Sequence, residues 1–214
     1  MVKVADLYLR VMSSKLIPVP GRLLLDTCIL NRLYDEGGYI FDGALPRGTQ
    51  DDEEAEEDVD PDLQALRSIF LVNQRADFQL LVSPLTIVEV ANTQDFGDCT
   101  RRLGWVLEVL DHWLVMLNET GSRVRAGGSV RHRFKLTPEL QAFEAALLEI
   151  PDFRRDPFDR LLLIQYRMGD CDAFVTTDRD TIWRHRAALR DLNVRVLTPS
   201  DYWELLRPWA GLWL

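Results

Sequence analysis

The sequence predicts an α/β fold with a doubly wound, mostly parallel sheet, and three observations lead to this prediction. Short apolar runs without polar alternation are typical of strands that are buried on both faces. These runs alternate with segments whose apolar residues follow helical spacing. The first run, Leu23–Leu25, ends on Asp26, which places an acid at the sheet edge where open α/β folds bind ligands. The predicted strands are Leu23–Leu25, Phe78–Val82, Ala173–Thr176 and Val194–Leu197.

Helix signals fill the intervals between these runs. Pro61 suits a first helical turn, and Ser83-Pro84 is a capping residue followed by proline at the first helical position. Thr137 opens a further helix in the same way. Residues 119–135, which are rich in glycine and arginine, are predicted to form a loop. The predicted helices cover residues 27–35, 62–76, 84–94, 100–117, 137–149, 159–168, 181–191 and 199–206.

Length and composition indicate one globular domain. The chain has 214 residues, of which 47% are hydrophobic and 28% charged. No apolar run approaches the roughly 20 residues needed to cross a bilayer, and the amino end lacks a secretory signal, so we expect a cytoplasmic protein and no membrane partner. Three widely spaced cysteines argue against a disulfide framework or a structural zinc site. Of the three histidines, His112 lies in an apolar helix and is predicted to be packed.

The domain is predicted to span residues 21–207. Residues 1–20 have apolar residues at helical spacing before Pro18 and Pro20, which predicts an appended helix that packs on the domain or on a second copy in a homodimer. Residues 38–60 are predicted to be a mobile insertion rich in glycine and acids. Residues 208–214 are predicted to form a carboxy-terminal tail.

The negative charge of the chain is concentrated in one segment. The net charge is −9, but Asp51–Asp60 contains eight acids and no base. Without that segment the net charge would be −1. The acidity is therefore a property of the segment, and it does not exclude a nucleic acid as partner.

Four acids are predicted to meet at the carboxyl edge of the sheet. Asp26 and Asp178 end buried strands, Glu89 lies opposite the apolar side of the helix after the second strand, and Asp159 opens the helix that leads to the third. Singly, the aspartates could be helix caps or dipole partners, and Glu89 a solvated residue. Together, carboxylates about 4 Å apart would repel by about 4 kcal/mol per pair at an effective dielectric constant of 20. An oxygen-only cluster of this kind suits Mg²⁺ or Mn²⁺.

Four motifs around these acids occur in the order known from one protein family. The sequence resembles the PIN-domain ribonucleases, which include the VapC-type toxins of bacterial toxin–antitoxin pairs, over roughly residues 22–202. The motifs are Leu23-Leu-Leu-Asp26-Thr-Cys28, Ser83-Pro-Leu-Thr-Ile-Val-Glu89, Asp156-Pro-Phe-Asp159-Arg-Leu-Leu162 and Cys171-Asp-Ala-Phe-Val-Thr-Thr-Asp178-Arg-Asp180.

The resemblance implies a three-layer α/β/α fold whose central sheet has four to five mostly parallel strands. It also implies a metal-dependent endoribonuclease that hydrolyses RNA phosphodiester bonds with Mg²⁺ or Mn²⁺, and, for a toxin, a small antitoxin protein as partner. The catalytic, metal-binding acids would be Asp26, Glu89, Asp159 and Asp178, with Thr177, Asp156 and Asp180 nearby.

RNA phosphates require cations around such an acidic centre. The first candidates are Arg154, Arg155 and Arg160, because they adjoin the third acid, although single arginines are commonly solvated surface residues. Further candidates are Arg123, Arg125, Arg131, Arg133, Lys135, Arg184 and Arg186.

Two other functions stay open on the sequence. A haloacid-dehalogenase-type phosphatase also begins with a strand-ending aspartate, but its chemistry requires a second aspartate where Cys28 stands. A degenerate PIN fold would bind RNA or protein without cutting it. Metal-dependent cleavage separates this binding module from the nuclease.

The acidic segment gives a first testable prediction. Asp51–Asp60 is expected to be a solvated, disordered insertion. The alternative hypothesis is that this tethered polyanion, at an effective concentration up to the millimolar range, competes with RNA phosphates for the arginines near Asp159. On this hypothesis, replacing the segment by a neutral linker of equal length should tighten RNA binding at low ionic strength, as measured by titration of labelled RNA. Unchanged affinity would identify the segment as a solvated loop only.

Overall fold

The structure is a computed structural model that describes residues 19–47, 59–73, 78–91, 96–112, 114–117, 122–124, 130–132 and 136–210. Side chains are not described for residues 91, 96–99, 110–112, 122–124 and 130–132. The predicted appended helix falls on residues 1–20 and lies outside the described residues, apart from positions 19 and 20. No helix within the described ranges is long and apolar enough to cross a membrane.

The predicted α/β fold is confirmed. Five parallel strands form the central sheet in the order β3-β2-β1-β6-β7, so the first strand lies in the middle of the sheet. They are β1 (Arg22–Leu25), β2 (Gln79–Val82), β3 (Val115–Met116), β6 (Ala173–Val175) and β7 (Val196–Leu197). A separate antiparallel pair consists of β4 (Ser122–Val124) and β5 (Val130–His132).

Helices cover both faces of the sheet, which gives the three-layer α/β/α architecture. The helices of the described ranges are α1 (Thr27–Asp35), α2 (Gly37–Asp42), α3 (Pro61–Asn73), α4 (Pro84–Ala91), α5 (Phe96–His112), α6 (Pro138–Leu148), α7 (Pro151–Arg155), α8 (Pro157–Met168), α9 (Arg186–Asp191) and α10 (Pro199–Ala210). A 3-10 helix over Trp183–His185 precedes α9.

The leucines of β1 explain why its sequence shows no polar alternation. Successive strand residues point to opposite faces, and both faces of this strand are covered. Leu23 and Leu25 belong to a core with α1, α3 and α10. Leu24 belongs to a second core with α6, α7 and α8. Every position after Arg22 is therefore buried, with exposed fractions of 2% or less.

Local capping signals place the helix starts near the site. The Ser83 hydroxyl accepts a hydrogen bond from the Leu85 amide at 2.9 Å and thereby caps α4. The Asp156 carboxylate accepts from the Phe158 amide at 2.8 Å and caps α8, with Pro157 at the first helical position. The capping role of Ser83 and Asp156 is predictable, because both are preferred N-cap residue types and a proline follows each of them. The predicted starts of both helices are therefore confirmed to within two residues.

Two predictions in the middle of the chain are wrong. The helix predicted over residues 100–117 ends at His112, and β3 follows as an edge strand that pairs with β2. The apolar run at residues 113–117 satisfies helical and strand patterns equally, and pairing with β2 decides the outcome. The loop predicted over residues 119–135 contains the β4–β5 pair.

Several boundaries also differ from the predictions. Part of the predicted mobile insertion is α2, where Tyr39 and Ile40 are buried against the core. Residues 48–58 of that insertion lie outside the described residues. The last helix extends to Ala210, so the tail predicted from residue 208 begins no earlier than residue 211. Asp60 caps α3, because its carboxylate accepts from the Asp62 amide at 2.8 Å.

Candidate active site

Asp26 lies at the end of the central strand, and hydrogen bonds hold its carboxylate in place. Its exposed fraction is 7%. Oδ1 accepts from the Thr27 amide at 2.7 Å, and Oδ2 accepts from the Thr176 hydroxyl at 2.6 Å and from the Cys28 thiol at 3.2 Å. Burial raises the pKa of Asp26 even though these hydrogen bonds oppose the shift.

Thr176 connects two of the predicted acids, and the sequence reasoning missed it. Its buried hydroxyl donates to Asp26 and accepts from the Asp178 amide at 2.9 Å. The register between β1 and β6 pairs Leu25 with Val175, so Asp26 and Thr176 are the next residues along the two strands. The family resemblance implies Thr177 instead. The Thr177 amide donates to the Cys28 sulfur at 3.3 Å, and a side-chain hydrogen bond of Thr177 also acts on Cys28 and opposes the rise of its pKa.

Glu89 reaches the same place from α4. Its Oε2 accepts a hydrogen bond from the Thr27 hydroxyl at 2.5 Å, next to Asp26 in the chain. Burial raises the pKa of Glu89, the hydrogen bond from Thr27 opposes this, and the charges of Asp26 and Asp156 raise the pKa further. The carboxylates of Asp26 and Asp156 therefore both interact electrostatically with the carboxylate of Glu89.

Asp159 lies in the first turn of α8, where it is partly buried. Burial is the main reason that its pKa rises to about 7, and the charges of Asp156, Asp26 and Asp178 add to the rise. Asp156, which caps the same helix, is thus a fifth carboxylate close to the predicted four.

Asp178 is held by the turn that follows it. Its Oδ1 accepts from the Asp180 amide at 2.8 Å and from the Thr181 amide at 3.2 Å, while its Oδ2 accepts from the Thr181 hydroxyl at 2.5 Å. Thr181 also lowers the pKa of Asp159 through its hydroxyl, so it lies between the two acids. Asp180 supplies its amide, and its own side chain is exposed.

The structure thus brings the four predicted acids and Asp156 into one electrostatically coupled group, which we call the acid cluster: Asp26, Glu89, Asp156, Asp159 and Asp178. Within the described part of the chain, none of the five forms an ion pair with a lysine, arginine or histidine. Protons, which the raised pKa values favour, or bound cations must therefore offset their repulsion.

The donor set of the acid cluster fits Mg²⁺ or Mn²⁺, because it consists only of oxygens. As they stand, no three His, Cys, Asp or Glu side chains in the described ranges are arranged to hold a metal ion. The oxygens of Asp26, Glu89 and Asp178 are instead directed at hydroxyl and amide donors. Each ionised carboxylate has about four lone-pair sites, so these hydrogen bonds leave every one of the three acids with capacity for a metal ion.

Comparison of the chain with protein-family models, with curated proteins and with solved structures gives no match. The resemblance to the PIN-domain ribonucleases therefore stays a prediction. It rests on the four motifs alone.

The arginines predicted beside the third acid have three different environments. Arg155 is exposed and its guanidinium has no partner within the described residues. Arg154 is exposed but donates to the Leu148 carbonyl oxygen at 2.9 and 3.0 Å. Arg160 donates to the Phe153 carbonyl oxygen at 2.7 Å and lies 3.7 Å from Glu144, with only 17% of its side chain exposed. Of the three, Arg155 is the most available to RNA, and Arg160 holds α6, α7 and α8 together.

The other predicted cations fall into two groups. Arg184 pairs with Asp152, which also lies 2.7 Å from the His185 ring nitrogen, and Arg186 stacks on Trp183. The remaining five, in the segment predicted as a loop, have side chains outside the described residues, as does His112.

The raised pKa of Asp159 predicts a pH-dependent stability. Between its unfolded value of 3.8 and about 7 the folded protein binds more protons than the unfolded chain, so the free energy of unfolding falls as the pH rises through this window. In the metal-free protein, Asp159→Asn should raise the free energy of unfolding at pH 8 by roughly 2 kcal/mol, after allowance for partial exposure. The gain should disappear below about pH 4.

Urea unfolding in EDTA between pH 4 and pH 8 measures this difference. The matched control is Asp180→Asn, which removes the same charge from an exposed side chain of the neighbouring turn. If Asp159→Asn raised the free energy of unfolding by the same amount at every pH, the prediction would be contradicted.

Proposed function

We propose that the chain is a divalent-metal-dependent endoribonuclease that hydrolyses RNA phosphodiester bonds, of the kind found in PIN-domain proteins. The observation that supports this is the acid cluster at the carboxyl edge of the sheet, in which carboxylates from four separate segments act on one another without a neutralising cation among the described residues.

The residues around the acid cluster position its oxygens. Thr176 orients Asp26, Thr27 orients Glu89, and the turn at Thr181 orients Asp178. Asp26, Glu89, Asp159 and Asp178 would hold Mg²⁺ or Mn²⁺, which, when bound, makes water more acidic and offsets charge on the phosphoryl group. Since the pKa of Asp159 is about 7 in the metal-free protein, protons compete for these sites near neutral pH.

Cations at the rim of the acid cluster suit a polyanionic substrate. Arg155 precedes Asp156, and Arg179 follows Asp178, where its guanidinium pairs with Asp62 while 53% of its side chain stays exposed. Such cations attract phosphates and set the register of the strand without reading its sequence. A toxin with a small antitoxin partner is the more specific form of this proposal, and it requires a neighbouring gene that encodes a small DNA-binding protein.

A second candidate, binding without cleavage, rests on the absence of a ready-formed metal site among the described side chains. A phosphatase of the haloacid-dehalogenase type gains no support, because burial raises the pKa of Cys28 to about 12 and its thiol donates to Asp26. A thiol in that state does not replace the missing aspartate as a proton donor to a leaving group.

Cleavage assays distinguish the nuclease from the binding module. The wild-type chain should cleave labelled RNA with Mg²⁺ or Mn²⁺ and lose activity in excess EDTA. Asp26→Asn should lower the rate by more than about 100-fold, which is the upper range for loss of a group that supports a metal site, while Asp180→Asn should stay within a few-fold of wild type. Full activity in EDTA would refute the proposal.

Metal binding has its own readout in thermal stability. A ligand stabilises the state that it binds, so Mg²⁺ should raise the melting temperature of wild type more than that of Asp178→Asn. The Asp180→Asn control should keep the wild-type shift. Equal shifts for wild type and Asp178→Asn would exclude Asp178 as a ligand.

A further inference from the structure

An open cleft of about 750 Å³ runs along the β7 edge of the sheet. It follows β7, which among the described strands pairs with β6 alone, and α9 and α10 form its walls. Its volume lies in the range of sites that bind small ligands, about 300–1,000 Å³. The lining residues used below are Arg186, Arg190, Asn193, Asp172 and Asp201.

Two arginines of α9 present positive charge to this cleft. Arg186 and Arg190 are four residues apart and therefore lie on the same side of the helix. Both side chains are exposed, and the Arg190 guanidinium has no partner within the described residues. A phosphate in the cleft would thus meet an unpaired guanidinium.

The two acids of the cleft are already occupied by backbone amides. Asp172 accepts from the Gly21 and Arg22 amides, both at 2.9 Å. Asp201 accepts from the Thr198 amide at 3.0 Å. These hydrogen bonds offset part of the repulsion that the two carboxylates would exert on a phosphate.

Arg186 forms a surface on which a base can stack. Its Cζ lies 3.6 Å above the centre of the Trp183 ring, at van der Waals contact, and its Nη1 donates to the Trp183 carbonyl oxygen at 3.4 Å. Arg179 contacts the same ring at 4.9 Å. One face of the Arg186 guanidinium is therefore held on an aromatic ring, and the side chain is otherwise exposed to the cleft. Unpaired RNA bases stack on such guanidinium planes and aromatic rings.

This stack is close to the acid cluster along the chain. Thr181, which donates to Asp178, is five residues before Arg186, and the chain between them is a turn and a 3-10 helix. Five residues of chain span at most about 18 Å, so the two residues lie no farther apart than that. A strand bound at the acid cluster can therefore continue into the cleft.

We propose that this cleft is a second nucleotide-binding site, which takes an unpaired nucleotide next to the scissile bond. Its base stacks on Arg186, which Trp183 supports, and its phosphate contacts Arg190. The site rests on the proposed ribonuclease function and adds to it a binding position outside the acid cluster.

The test measures binding of labelled, unstructured RNA oligonucleotides to the full chain carrying Asp26→Asn, so that the RNA stays intact. Arg190→Ala should weaken binding and lower the slope of log K against log salt by about 0.7, the value for one single-strand phosphate contact. Arg186→Lys keeps the charge but removes the planar guanidinium, and it should weaken binding by about tenfold, within the range for loss of one stacked base.

Two controls make these effects specific. Arg207→Ala removes an exposed arginine of α10 that pairs with Glu204, and it should leave affinity within about twofold of the parent. A perfectly paired duplex cannot offer an unstacked base, so the Arg186→Lys effect should be absent on it.

The outcomes separate the two proposals. In one outcome, RNA binds, the chain without Asp26→Asn cleaves it, and both cleft variants bind RNA with the affinity of Arg207→Ala. The second site is then refuted and the ribonuclease proposal stands. If no variant binds RNA and the otherwise wild-type chain cuts none, the ribonuclease proposal fails and the second site fails with it.

Discussion

The burial of like charges at the carboxyl edge of the sheet is the constraint on which the rest of the site depends. Asp26 is 7% exposed and shares its surroundings with four other carboxylates. Two charged carboxylates about 4 Å apart would repel by about 4 kcal/mol at an effective dielectric constant of 20, and a whole domain is stable by only about 5–15 kcal/mol. The repulsion among these carboxylates is offset in three ways: hydroxyl and amide groups donate hydrogen bonds to them, raised pKa values favour their protonation, and a large hydrophobic core stabilises the fold.

The loop after β6 shows how the fold supports this arrangement from outside the acid cluster. Arg179, which directly follows Asp178, donates to the buried carboxylate of Asp62 at 2.9 Å. Asp62 also accepts from the Ser200 amide at 3.0 Å. One acid at the start of α3 therefore ties the loop to the start of α10. The same loop leads into Trp183 and Arg186, so one short segment of chain joins the acid cluster to the cleft that Arg186 lines.

The sequence by itself determined the α/β class, most of the helices and the four acids. Capping residues, proline positions and apolar periodicity are local properties, and they place α1 at its observed bounds and Asp26 at a strand end. The acids could be found for the same reason, because each interrupts or follows a buried element within a few residues. Periodicity over a short apolar run was insufficient at residues 113–117, where β3 replaced the end of a predicted helix.

Only the tertiary structure decided which side chains touch. The register of β1 against β6 makes Thr176, rather than Thr177, the partner of Asp26. Packing between α6 and α8 directs Arg160 to Glu144 and the Phe153 carbonyl oxygen. Its sequence position beside Asp159 had instead suggested a role in RNA binding. The partner of a side chain depends on strand register and helix rotation, which join residues about 150 positions apart, and no local pattern in one sequence carries that information.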